Sequence, residues 1–300
     1  MKKFVFLLLI AFSSYGFSQS DTSSLNKQEK NNRFQVSTRV IRNNILAIPD
    51  DFKEVGLAFS QNWKRTALYT TGFIGLIITD NYTTSFLQHF IEPVFDFPLP
   101  DIAIANNRIP WLHGKDAYIS YTLTGLYFGS VVINNEKGQI VAGNAVKAMT
   151  YSYIISHLLL KSVFARNRPQ RFLTDSGSAS EPFTKSPYDF FNFHPVYSRI
   201  KLDGTSFPSF HATTYFAVAK VLQMEYDNYW LPYSFVTAIF MANFKLHQHW
   251  FSDIIAGGVI GTILGKSIVL SSRKQKGITS ALLIPQVSFG NYGVTFQATF

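Results

Sequence analysis

Two histidines of this chain, His211 and His249, each stand in a short run of residues that can do chemistry together. His249 opens the run His249-Trp250-Phe251-Ser252-Asp253. On a helix, residues four apart share a face, so the Asp253 carboxylate can accept from one ring nitrogen. That fixes the tautomer and leaves the other lone pair free to attack phosphorus. His211 closes the run Ser206-Phe207-Pro208-Ser209-Phe210-His211, which leads into an apolar stretch. Ser206 reads as the N-cap of a helix and Pro208 as an early first-turn residue. The free N–H groups of such a terminus attract an anion, and Ser209 adds a hydroxyl donor. His211, one turn in, can protonate a leaving oxygen. A third run supplies cations: Lys161, then Arg166, Arg168 and Pro169. The lysine is a point charge, the arginines are planar forks suited to paired oxygens, and the proline stops the helix. Each run alone has a plainer reading as a solvated basic helix end, an ordinary capped helix or a structural His–Asp pair. His247 faces elsewhere on a helix, and a metal site of His247, His249 and Asp253 lacks a further ligand nearby.

Six apolar stretches must position these runs: Thr66 to Thr79, Ala117 to Asn134, Ile140 to Leu160, Phe207 to Leu222, Trp230 to Phe244, and Phe251 to Leu270. Length and composition predict helices for all six. On the third, Thr150, Tyr153, His157 and Lys161 fall at three- and four-residue intervals and predict one polar stripe ending at the cations. The polar segment from Ser162 to Ser206 is far longer than an ordinary helix connection, and it begins and ends at the candidate site.

The 300 residues suffice for one catalytic domain with extensions. Apolar residues make up 47% and charged residues 15%, against roughly a quarter charged in soluble domains, and the 29 Phe and 15 Tyr carry the excess. This points to a membrane, although the mean hydropathy of +0.08 is low for a polytopic protein and several stretches fall short of a ~20-residue span. With no Cys, disulfides, thiolate catalysis and zinc-thiolate sites are excluded. The net charge of +9 suits anionic lipid or a phosphorylated substrate. No Arg/Lys-rich helix or aromatic-basic strand pattern supports nucleic acid.

At the N-terminus, Met1-Lys2-Lys3, the apolar run Phe4 to Phe12 and small residues through Ser18 predict a cleaved signal peptide over 1–18. Residues 19–65 read as a polar lead-in, flexible over residues 19 to 40. A catalytic domain follows over 66–272. The tail, 273–300, begins with a basic segment and then alternates through Tyr292, Val294, Phe296 and Ala298 after Gly290-Asn291, which predicts a β-hairpin.

The order and spacing of the three runs resemble the phosphatidic acid phosphatase type 2 superfamily of lipid phosphatases, bacterial acid phosphatases and vanadium haloperoxidases. Lys161, Arg168 and Pro169 meet its Lys, six residues, Arg-Pro motif in full. Ser206 to Ala212 match Ser-Phe-Pro-Ser-Gly-His-Ala except at Phe210, and His249 and Asp253 match the end of Ser-Arg, five residues, His, three residues, Asp. The resemblance covers about residues 66 to 270. It implies an all-α, six-helix bundle, membrane-embedded in the lipid phosphatase branch. It also implies His249 as nucleophile, Asp253 as its orienting partner and His211 as acid and then base. Lys161, Arg168 and Ser209 would hold the phosphoryl oxygens, with no metal or other cofactor. Two positions depart. Ala242-Asn243 stand where Ser-Arg is expected, so Asn243 offers a neutral donor in place of a guanidinium, with Lys245, Arg166 or His157 as auxiliary groups. Phe210 places a ring where glycine allows close approach.

The expected function is therefore a phosphatase of the cell envelope acting on a lipid phosphate or diphosphate. The alternatives are a soluble periplasmic acid phosphatase of broad specificity and an inactive membrane scaffold that binds anionic lipid. Lys64-Arg65 and Arg273-Lys274-Lys276 as cytoplasmic ends would put the site on the outer side. A cleaved leader would instead put residues 19–65 outside and, after an odd number of crossings, the site inside, so the two signals conflict.

Overall fold

The computed structural model describes residues 32–95, 99–104, 111–197, 201–244 and 248–275, and the strand backbone at 281–288 and 291–298. The expected signal peptide, Lys245, His247, Lys276 and Gly290 lie outside the described residues.

The lead-in expected to be flexible is helical where it is described. Helix α1, Arg33–Leu46, starts at a reciprocal cap in which Asn32 and Gln35 each bond the other's backbone. Its Val36 and Val40 pack on Ile140. Helix α2, Ile48–Ser60, has a proline and two aspartates in its first turn. One of these, Asp51, is fully buried and accepts from Lys147 at 2.9 Å and Tyr151 at 2.8 Å. Composition hid these helices because their apolar faces are narrow and the remainder is polar.

All six predicted stretches are helical, with shifted ends. They are α3, Trp63–Ile78; α5, Ala117–Val132; α6, Glu136–Ser152; α8, Phe210–Tyr226; α9, Trp230–Ala242; and α10, Phe251–Gln275. A short helix α4, Asp80–Phe86, follows α3 and runs on as a π-helical turn, Leu87–Ile91. Helix α6 also continues as a π-helix, Tyr153–Leu160, and ends in the single α-turn α7, Lys161–Phe164. The π stretch breaks the expected stripe: Thr150 is exposed, whereas His157 and Lys161 are buried. Wider turns no longer stack residues four apart, and such insertions are frequent at functional sites. Strands β1, Arg168–Pro169, and β2, Phe183–Thr184, pair in parallel within the long loop. Strands β3, Ala281–Ser288, and β4, Asn291–Ala298, form the expected antiparallel hairpin, with Ser288 opposite Asn291.

The core joins α5, α6, α8, α9 and α10 through Leu123, Val141, Val218, Val236 and Ile268. The closest approach is between α8 and α10. A Cβ at Gly257 would lie 2.5 Å from the Ser209 carbonyl oxygen, one at Gly261 2.2 Å from that of Thr213, and one at Gly265 2.4 Å from that of Ala217. This glycine stripe lets two backbones touch, which seats Asp253 beside Ser209. Among the described residues, only α10 is long and apolar enough to cross a membrane, and half of its apolar window is buried.

Candidate active site

The three runs converge where α7 ends and where α8 and α10 begin. After Lys161 the chain reverses at Ala165, whose φ of 41° is left-handed. This sends Arg166 and Arg168 in different directions. Arg166 enters the bundle between the rings of Phe190 and Trp250, 4.6 and 5.1 Å from their centroids. Its Nη1 donates to Asp253 Oδ1 at 2.6 Å and Ser252 Oγ at 2.8 Å, and its Nη2 to Asp80 Oδ2 at 2.7 Å and the Pro187 carbonyl. Both terminal nitrogens are thus committed within the protein. Arg166 is an anchor for two carboxylates, not the substitute phosphate ligand that sequence suggested.

Arg168 faces the site. Its Nη2 donates to the Thr205 carbonyl at 3.2 Å and to Thr205 Oγ1 at 3.3 Å, and its Nη1 lies 3.5 Å from His249 Nε2. The segment carrying it is stitched to the run before α8 by the Ser206 N–H to Arg166 carbonyl bond of 2.9 Å. Trp250 Nε1 donates to the Asn167 carbonyl at 3.0 Å. One loop therefore holds all three runs in register.

Helix α8 begins at Phe210, with Ser209 at the N-cap in an extended conformation. Sequence had placed the cap at Ser206. That hydroxyl instead donates to Asp253 Oδ2 at 2.5 Å. Ser209 Oγ is buried, makes no side-chain cap bond and has no hydrogen-bond partner among the described residues. It sits beside first-turn N–H groups that have no acceptor within their own helix. Phe210 turns its ring into a cluster with Trp111, Tyr153 and His157, at centroid distances of 5.9, 6.1 and 5.5 Å. His157 is stacked on Tyr153 there, on the side of the site bounded by the π-helix.

His249 was expected on a helix with Asp253, yet α10 starts only at Phe251, after a left-handed Gln248 with φ of 39°. The pair still meets, with Nδ1 3.9 Å from Asp253 Oδ2, longer than a hydrogen bond. Asp253 meanwhile accepts from Arg166, from Ser206 and from the Trp250 N–H at 3.3 Å. His249 is buried and its pKa is pushed down to about 3, first by loss of solvent and then by the charge of Arg168. Its imidazole is neutral and keeps a lone pair at any ordinary pH. Lys161 is buried with no hydrogen bond among the described residues, and burial together with Arg168 pushes its ammonium well below the usual range. Burial likewise pulls Arg168 down to about 10.

Three residues that sequence reasoning passed over complete the site. Asp80, the buried first residue of α4, accepts from Arg166 and from the Ser252 N–H at 2.9 Å. Asp116, just before α5, lies with Oδ2 3.3 Å from His211 Nε2. Tyr215, one turn beyond His211, donates to Asp116 Oδ1. Each aspartate stands at the start of a helix, a visible signal, but nothing local tied Asp80 to Arg166, 86 residues away, or Asp116 to His211, 95 residues away. Asn243 caps the C-terminal end of α9.

No curated protein and no solved structure matches the chain. A family model does: residues 142–276, which take in the three runs, match the PAP2 superfamily.

Proposed function

We propose that the protein releases phosphate from a lipid phosphate or lipid diphosphate, without metal, through a phosphohistidine formed on His249. The observation that carries this reading is the convergence of buried basic side chains on a neutral histidine. Lys161, Arg166 and Arg168 are buried, and Asp80 and Asp253 are the buried carboxylates among them. Arg166 accounts for both carboxylates. Lys161 and Arg168 are buried near the Ser209 hydroxyl, which has no hydrogen-bond partner among the described residues, a set of donors suited to a phosphoryl dianion. In this reading His249 Nε2, next to Arg168, attacks phosphorus, while Asp253 takes up the charge that grows on the imidazole. Lys161, Arg168 and Ser209 hold the equatorial oxygens. His211 protonates the leaving oxygen and then takes a proton from the water that cleaves the intermediate.

A lipid substrate is supported by the outside of the bundle. Helix α3 has no buried residue and exposes Trp63, Leu68, Ile74 and Ile78, followed by Tyr82, Phe86 and Phe90. So broad an apolar surface marks contact with a membrane or partner. We accordingly place the protein in the cell envelope, in the membrane, with its site on the outer side. That only α10, among the described residues, passes as long and apolar enough to span leaves room for a second reading, a soluble periplasmic acid phosphatase.

The test is phosphate release by the purified protein in detergent with chelator present. Phosphatidic acid, a polyprenyl diphosphate and p-nitrophenyl phosphate are compared, with wild type against His249→Ala. Chelator-resistant release that disappears in the variant is the expected result, with the lipid substrates ranked first. Preference for the small aryl ester selects the soluble reading. Lipid binding without release by either protein selects the scaffold.

A further inference from the structure

The proposed acid, His211, is held by a carboxylate outside the residues that match the family model. Asp116 precedes the match, which begins at 142. Its two oxygens divide their work: Oδ2 faces His211 Nε2 at 3.3 Å and Oδ1 accepts from Tyr215. Tyr215 stands edge-on to the His211 ring at 5.9 Å. The neighbouring Lys115 donates to the Ala242 carbonyl at 2.6 Å. The end of α9 therefore grips the Asp116 corner through Lys115 at Ala242. Ala242 is one of the two positions that depart from the superfamily's Ser-Arg pattern. Here its carbonyl holds the corner that carries Asp116. Burial raises the Asp116 carboxyl, but the His211 ring outweighs it and holds the group below its ordinary range, as an ionised partner requires.

We infer that Asp116 is a positioning residue that fixes His211 as proton donor to the leaving oxygen, an inference that rests on the phosphatase reading above. With Nε2–H held by Asp116, transfer falls to Nδ1. In the first half-reaction the His249 Nε2 lone pair bonds phosphorus, the bond from phosphorus to the leaving oxygen breaks with its electron pair, and a doubly protonated His211 gives that oxygen its Nδ1 proton and is left neutral with Nε2–H. In the second, water bonds phosphorus, its proton goes to His211 Nδ1, and the phosphorus–nitrogen bond returns its pair to His249. Asp116 keeps Nε2–H throughout, so the ring neither rotates nor presents the wrong tautomer.

Two readouts test this. The first is the leaving-group dependence of Asp116→Asn. A phenolate needs little help from an acid, whereas an alkoxide needs much. The expected loss is on the order of 100-fold on an alkyl phosphate and under about tenfold on p-nitrophenyl phosphate. Tyr215→Phe, the milder variant, follows the same pattern at several-fold. Equal losses on both esters would reduce Asp116 to a structural role and overturn the inference. The second readout needs no turnover: the 15N shifts of His211 in the wild-type protein, assigned by their loss in His211→Gln. At a pH where the ring is neutral, its single proton is expected on Nε2, with that preference lost in Asp116→Asn. A neutral wild-type ring with its proton on Nδ1 overturns the inference, even if the phosphatase reading stands. Absence of turnover with the expected tautomer overturns the phosphatase reading and leaves the Asp116–His211 pair intact.

Discussion

His249 and Asp253 form one buried histidine–carboxylate pair, whereas His211, equally buried, is paired with a carboxylate, Asp116, that is partly exposed. Asp253 is fully buried and accepts from a guanidinium, a hydroxyl and a backbone N–H besides facing its histidine at 3.9 Å. Asp116 is 19% exposed at the side chain, accepts from one hydroxyl and stands 3.3 Å from its histidine. The difference follows from the work each would do. A nucleophile must stay unprotonated before reaction, and burial beside cations ensures it at the cost of a carboxylate that needs several donors. An acid–base group must gain and lose a proton each cycle, which favours a looser carboxylate with some access to water.

Replacing the two histidines should separate the pairs most sharply. His249→Ala is expected to lose on the order of 10⁴-fold or more in kcat on every substrate. His211→Ala should lose on the order of 100-fold or more on alkyl esters and far less on aryl esters. Steady-state rates on the two ester classes check this, and comparable losses across both would erase the distinction. The next effect is on stability. Arg166→Ala leaves Asp80 and Asp253 buried without their shared cation and should cost about 3 to 5 kcal/mol by denaturant unfolding. Lys115→Ala, next to Asp116, should cost about 1 kcal/mol. A smaller effect is expected at the seam between the pairs. Gly261→Ala drives a methyl against the Thr213 carbonyl and should cost about 1 to 3 kcal/mol, with the same Tm shift whether or not either histidine is intact.

The subtlest contrast is in pH. His249 has its pKa lowered, so the neutral nucleophile persists as pH falls below the ordinary histidine value of 6.5 and is lost only near 3. The acid limb of kcat/KM, corrected for substrate ionisation, should therefore lie well below 6.5, and Arg168→Gln should move it upward. A wild-type limb at the ordinary histidine value would contradict the account of the buried pair.

Both residues of the His249–Asp253 pair were readable in the sequence, but of the other pair only His211 was. Lys161, Arg168, Ser209, His211, His249 and Asp253 lie in short runs whose internal spacing carries their meaning, and the structure brings those runs together. What spacing could not give were partners set by tertiary packing. Asp80 and Asp116 reach the site from the starts of α4 and α5, and Arg166 differs from Arg168 only because Ala165 turns left-handed between them. The same limit explains the helix starts. Ser206 looks like a cap in sequence, yet its hydroxyl has a stronger claimant in the Asp253 carboxylate. The helices α1 and α2 escaped notice because Val36, Val40 and Asp51 earn their burial only against α6.

The central claim is covalent, and one measurement addresses it directly. The protein is mixed with 32P-labelled lipid phosphate, quenched in alkali within one turnover and digested, and the labelled peptide is identified. The account predicts base-stable, acid-labile label on His249, more persistent in His211→Ala and absent in His249→Ala. Continued phosphate release with no label on His249, or label that survives His249→Ala, would contradict it.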